Sequence, residues 1–98
     1  MRYDFEWDSQ KAKSNFHKHG VLFEDAATIF KDINALSIPD EEHSIDEERW
    51  VTLGMSSSGK LLVSCHTFQN VDSRTCVIRI FSIRKATKKE SARYKGTT

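Results

Sequence analysis

Arg79-Ile80-Phe81-Ser82-Ile83-Arg84-Lys85-Ala86-Thr87-Lys88-Lys89-Glu90 is the stretch on which the fold turns, because an apolar strand runs there into a cluster of bases and then into a helix start. The strand begins at Thr75, and its β-branched and aromatic residues through Arg84 suit a pleated, half-buried surface. Thr87 followed three residues later by Glu90 has the spacing of a capping box, which predicts a helix through about Lys95. Arg79 and Arg84 are five residues apart and point to opposite faces of an ideal strand. They serve one site only if a bulge or the end of the sheet intervenes.

Working outward, Arg49 to Ser56 and Leu61 to Phe68 are two further strand candidates, separated by Ser56-Ser57-Ser58-Gly59 and followed by a turn over Gln69 to Ser73. Short connections of this kind favour antiparallel neighbours. Upstream, Met1 to Glu6 alternates Tyr3 and Phe5 with charged residues, as a strand with one buried face does. Asp8 caps a helix over Ser9 to His19, carrying Ala12 and Phe16, and Gly20 supplies a left-handed stop. Phe23, Ala26, Ala27 and Phe30 recur at the spacing of an apolar helical stripe. Ile33 to Ile38 reads as a short strand ending at Pro39, and Asp40 to Glu48, with six carboxylates, as an exposed loop. The expectation is a single α+β domain over residues 1–98, ordered β-α-α-β-β-β-β-α, with a mainly antiparallel sheet laid out as a meander and the helices packed on one face.

The net charge of +1 conceals an asymmetry. Residues 1–50 carry twelve Asp/Glu against six Lys/Arg, hence −6; residues 51–98 carry nine Lys/Arg against two Asp/Glu, hence +7. Eight of those nine bases fall between Arg74 and Lys95, the density of a surface that meets phosphates or an acidic partner. No leader-like segment and no run of about 20 apolar residues is present, so a cytoplasmic protein without membrane contact is expected. Cys65 and Cys76 lie in strand-like runs and are expected as reduced, buried small hydrophobes.

RNA is cut without a metal when its own 2′-hydroxyl attacks the neighbouring phosphate, provided that the phosphorane charge is neutralised and protons are moved. Arg84 and Lys85 suit the first task, because a guanidinium grips a phosphate bidentately and stays charged. For the second, His66 is the expected proton shuttle, since a histidine's ordinary pKa lies near neutrality, against the reading of a satisfied structural histidine. Tyr94 can orient RNA by stacking or hydrogen bonding, or simply pack. Glu90 reads as a cap rather than a base. Arg74, Lys88, Lys89 and Arg93 are the expected phosphate contacts.

Other signals carry less. His17 and His19 stand two apart on a helix and do not face each other, and the acidic loop around His43 lacks the ligand spacing of a cation site, so neither metal nor cofactor is expected. Trp7 and Trp50 read as core, and no glycine-bracketed serine suggests a hydrolase. Nothing has helix-turn-helix spacing, so direct sequence reading of DNA ranks last.

The chain also resembles the BrnT toxins, whose fold is similar to that of RelE-type ribonucleases. The resemblance rests on Phe5-Glu6-Trp7-Asp8 with Lys11-Ala12 and Asn15, and on Lys18-His19-Gly20-Val21 with Phe23, Ala26 and Phe30. It continues through Glu48-Arg49-Trp50, Leu53-Gly54, Gly59 with Leu61-Leu62-Val63, and His66-Thr67. Arg79-Ile80, Ser82, Arg84-Lys85-Ala86-Thr87, Glu90 and Tyr94 complete it, in the same order. What it implies is an RNA-cleaving toxin that inhibits translation and is neutralised by a BrnA-type antitoxin. The complex would repress its own operon, with DNA contacted through the antitoxin. The family's functional arginine maps onto Arg84. A departure stands at Gln69, where the family usually has an arginine, and the next turn is longer. Either Arg74 reaches the same phosphate from that turn, or this copy is a weakened enzyme or an inactive binding module.

Overall fold

The computed structural model describes residues 1–96. In chain order its elements are β1 (Arg2–Glu6), α1 (Ser9–His19) and α2 (Phe23–Thr28), which tightens into a 3-10 turn over Ile29–Lys31. Then come β2 (Leu36–Pro39), a 3-10 turn over Glu41–His43, β3 (Arg49–Met55), β4 (Leu61–Thr67), β5 (Gln69–Asn70), β6 (Thr75–Lys85) and α3 (Lys88–Tyr94). The result, over the described residues, is an α+β fold with a mixed, mostly antiparallel sheet and three α-helices.

Two local differences from the sequence reading have simple causes. The second strand starts at Leu36 rather than Ile33, because Asp32 folds the chain into a turn: its side chain accepts from the Asn34 amide at 2.9 Å and its carbonyl from the Ala35 amide at 3.1 Å. Gln69 and Asn70, expected as turn, instead continue β4 along the same edge of β6, opposite Val77 and Cys76. Asp72 closes the shorter turn that remains, accepting from the amides of Arg74 and Thr75 at 2.7 and 2.8 Å.

The sheet order is β1-β6-β4-β3-β2, and it is not a simple meander. β1 pairs in parallel with β6, Arg2 opposite Thr75 through Glu6 opposite Arg79, which seats the longest strand between the chain's first and fourth. Only the tertiary structure decides this, since β1 has no short connection that would dictate its partner. The core lies on one face, where Val21, Phe23, Ala26 and Ile29 pack on Leu62, Cys76, Ile78, Ile80 and Ile83. Gly54 permits that approach: a Cβ there would stand 3.1 Å from the Ile29 carbonyl oxygen. α3 does not join the other two helices. It crosses the end of the opposite face, where Glu90 and Arg93 lie with Leu53 and Val63, so the expectation of all helices on one face is corrected.

Buried positions in β6 run Cys76, Ile78, Ile80 and then Ile83, a step of three instead of two. The cause is a bulge: Cys65 pairs with Ser82 but His66 with Ile80, leaving Phe81 as the extra residue. The bulge brings Arg79 and Arg84 to the same face, away from the core. It is the irregularity that the five-residue spacing required.

Beyond Arg79, β1 has ended, and no strand among the described residues lies beside this edge of β6. α1 takes over. Asn15, its buried residue, donates from Nδ2 to the Ile83 carbonyl at 2.8 Å and accepts the Ile83 amide on Oδ1 at 3.1 Å. Phe16, on the same helix, is 49% exposed. Replacing Asn15 by alanine leaves both backbone groups of fully buried Ile83 unpaired, and we expect a loss of about 2–4 kcal/mol. Urea unfolding measures it; a loss below about 1 kcal/mol would mean that water replaces the amide.

Candidate functional site

On the open face, the end of β6 presents Arg84 opposite Val63 of β4. The guanidinium forks onto the Glu90 carboxylate, with Nη1 to Oε1 at 2.8 Å and Nη2 to Oε2 at 2.9 Å, and Nη1 also donates to the Lys85 carbonyl at 3.2 Å. Glu90 accepts the Thr87 amide at 2.8 Å as well, and Thr87 returns the contact by accepting from the Glu90 amide, so the capping box and the ion pair share one carboxylate. The hydrogen bonds from Arg84 above all hold the Glu90 carboxyl down at about 2, and the same pair raises Arg84. The cap reading of Glu90 stands, with a second role added. Arg84 keeps Nε–H and one Nη2–H without an acceptor among the described residues, and its side chain is 41% exposed.

That exposed side forms one wall of a groove of about 450 Å³, whose other walls include Asp40, His43, Arg49, Cys65 and Ser82. Arg49 projects from the start of β3, its Cζ 4.2 Å from the centroid of the bulged Phe81 ring. Its Nε is buried with no hydrogen-bond partner among the described residues. Lys11 reaches the same ring from α1, with Nζ 5.1 Å from the centroid. Burial first, then Asp40, push the Cys65 thiol up despite the nearby Arg49 and Lys11, so it is no thiolate nucleophile at neutral pH. Both cysteines are free, Cys76 buried and Cys65 half-buried.

The structure does not gather all of the expected site residues. Arg79 shares the face of Arg84 but stands five residues back, roughly 16 Å along the strand, with Nε 3.9 Å from Glu6 on β1. Lys85 is exposed but, by the pleat, leaves β6 on the side opposite Arg84. Tyr94 points elsewhere: its hydroxyl donates to Asp32 Oδ2 at 2.5 Å, the same oxygen that accepts the Met55 amide, which moors α3 to the far end of β3. Lys88, Lys89 and Arg93 are exposed on α3. Arg74 precedes the other end of the 11-residue β6, roughly 33 Å from Arg84 by strand rise, so it cannot share a phosphate with Arg84.

His66 requires a correction. It is fully buried on the core face. Nδ1 lies 3.1 Å from the Thr67 carbonyl, which can only accept, so Nδ1 carries the proton; Nε2 accepts from Thr52 Oγ1 at 2.6 Å, and Ser37 donates to Thr52 in turn. The rings of Phe30 and Phe68 meet it edge-on, each with centroids 4.7 Å away. The sheet stands between this ring and the groove, and the ring is a satisfied core residue rather than a proton shuttle. Trp7 and Trp50 are packing residues as expected, edge-on to Phe23 and Phe68. In the acidic loop, ligand atoms of Asp40, Glu42 and His43 lie within 4.8 Å of one another, closer than its spacing suggested. Asp40, His43 and Arg49 are the groove residues that sequence reasoning passed over. A signal existed for Arg49, which stands in the Glu48-Arg49-Trp50 motif; none existed for the other two, whose loop reaches the groove only once the sheet has formed.

Fold and groove together define a small α+β protein with an arginine-lined cleft at the end of its longest strand. The family model for the BrnT ribonuclease toxins of type II toxin–antitoxin systems matches residues 7–90. Among solved structures, the Brucella abortus ribonuclease toxin BrnT is similar, with 21% identity and a TM-score of 0.59 over 90% of this chain and all of that one. No curated protein matches by sequence. The chain belongs to the BrnT family of type II toxins.

Burial pushes the His66 pKa down from the ordinary 6.5 to about 4. The unfolded chain therefore takes up this proton first, and stability contributed by the neutral ring is complete above pH 6.5 and is lost as the pH falls to 4. The loss is on the order of 3 kcal/mol. Urea unfolding of the native protein and His66→Gln, compared across that window, should show the steeper fall only in the native chain; parallel curves would mean that the ring is protonated without cost.

Proposed function

We propose that this chain is an endoribonuclease toxin that acts without a metal, by attack of a ribose 2′-hydroxyl on the adjacent phosphodiester. The observation that carries the reading is the placement of Arg84, fixed at the end of a strand and fronting an open groove that Arg49 also lines. Two cations held in position before the reaction stabilise the extra charge of the phosphorane without reorganising as it forms. The exposed bases of α3 extend the cationic surface along which an RNA backbone is held. By family analogy with the RelE-like ribonucleases, the outcome is inhibited translation in the cytoplasm. A BrnA-type antitoxin neutralises the toxin, and the complex represses its own operon through DNA contacts made by the antitoxin.

The fork between Arg84 and Glu90 favours a second reading, that of a weakened enzyme or a binding module, because the carboxylate occupies donors that a phosphate needs. Gln69 in the family's arginine position points the same way. Turnover decides between them. The purified chain should cleave RNA in EDTA, and Arg84→Ala should lower the rate by about 100-fold or more with an unchanged circular dichroism spectrum. Binding without cleavage by the native chain, and no growth arrest on its expression, would establish the module instead.

A further inference from the structure

We infer that His43, oriented by Asp40, is the proton-transfer residue of the groove, taking the 2′-hydroxyl proton from RNA whose phosphate is held by Arg49 and Arg84. The inference rests on the ribonuclease reading and supplies what that reading lacks once His66 is assigned to the core. A phosphate clamp alone leaves the attacking hydroxyl protonated, and neither arginine is a base at any accessible pH. The remaining groups around the groove are unsuited: burial and Asp40 keep Cys65 protonated, and Glu90, held at about 2, is a very weak base engaged by Arg84 and Thr87.

His43 has the required arrangement. Its Nδ1 lies 2.8 Å from Asp40 Oδ2, so Nδ1–H donates to the carboxylate and Nε2 is left as the acceptor. Nε2 has no partner among the described residues, and the side chain is 62% exposed on the groove wall. Asp40 is itself fastened: its amide donates to the Arg49 carbonyl at 2.8 Å, and its carbonyl accepts from Ser44 Oγ at 2.6 Å and from the His43 amide at 3.3 Å. Ser44 Oγ in turn accepts the Arg49 amide at 2.9 Å. The turn that carries the histidine and the strand that carries the arginine are thus tied together by one backbone hydrogen bond and by the Ser44 hydroxyl. A carboxylate behind an imidazole fixes the tautomer and stabilises the imidazolium that forms, an arrangement that recurs in unrelated hydrolytic sites.

The O2′–P bond forms and the P–O5′ bond breaks, the O2′ proton passes to Nε2, and O5′ takes a proton from solvent water. The products are a 2′,3′-cyclic phosphate and a 5′-hydroxyl. Asp40 is a positioning residue, since it acts only through the ring. The charged and titratable groups around His43 are Asp40 and Glu42 of its own turn, Arg49 of β3, Cys65 of β4, Arg84 of β6 and Lys11 of α1.

The test measures cleavage of a short RNA in EDTA from pH 5 to 9, alongside binding of a non-cleavable RNA with 2′-deoxy substitutions. His43→Gln should lower kcat by about 100-fold, leave the affinity for the non-cleavable RNA within about twofold, and abolish the acidic limb of the pH profile. Added imidazole should restore part of the rate to His43→Gly. Asp40→Asn should cost roughly tenfold in kcat and leave the affinity for the non-cleavable RNA unchanged, a split that a merely structural role would not give. If the native chain cleaves, Arg84→Ala does not, and His43→Gln keeps the native rate, the assignment of His43 is overturned while the ribonuclease reading survives. If the native chain cleaves nothing, with or without metal, that reading fails first. If EDTA stops cleavage and Mn²⁺ restores it only while Asp40 and His43 are present, the trio with Glu42 holds a cation and the proton-transfer role is overturned.

Discussion

Asn15 replaces a neighbouring strand for Ile83, and the groove depends on that substitution. β6 extends past the end of β1, and its free edge would otherwise leave a buried amide and carbonyl without partners, each worth about 1–3 kcal/mol when orphaned. One carboxamide offers a donor and an acceptor at the spacing of a peptide group and satisfies both. Ile83 is thereby held against the helices, and Arg84, the next residue, is held facing away from them. The bulge at Phe81 completes the arrangement, because with Phe81 in regular alternation, unbulged, β6 would send Arg84 into the core and Ile83 into the groove.

Electrostatically, Arg84 is divided between the fold and the groove. Its pair with Glu90 has the bidentate geometry that makes such contacts strong, yet it is partly exposed, and exposed pairs contribute only about 0–1 kcal/mol. A phosphate can therefore compete for the guanidinium at modest cost while Glu90 remains bonded to the Thr87 amide. The carboxylate sets the position of the arginine and limits its readiness to bind an anion, which explains why one contact supports both an active and a weakened reading of the site.

His66 and His43 show how burial assigns opposite tasks to one side chain. The first lies between two aromatic rings with both nitrogens bonded, and charging it is costly because no solvent or counter-charge compensates. The second lies on an exposed turn with one nitrogen bonded to a carboxylate and the other open. In the linear chain His66 looked the better candidate, since it lies in a strand near the basic run and His43 in an acidic loop. Sequence alone registers residue type and neighbours; it does not register which face of a sheet is covered.

What the sequence by itself determined was local: the strand over β6, the Asp8 and Thr87 caps, the Gly20 stop and the apolar stripe of α2, each set by contacts among residues a few positions apart. The family was legible for the same reason, because its motifs are ordered short patterns. Tertiary structure decided the rest. The parallel pairing of β1 with β6, the bulge at Phe81, the placement of α3 on the open face and the meeting of Asp40 and His43 with Arg49 and Arg84 all join residues far apart in the chain. Such contacts are selected by competition among edges and faces for burial and hydrogen bonding, and that competition is settled only when the whole sheet is assembled.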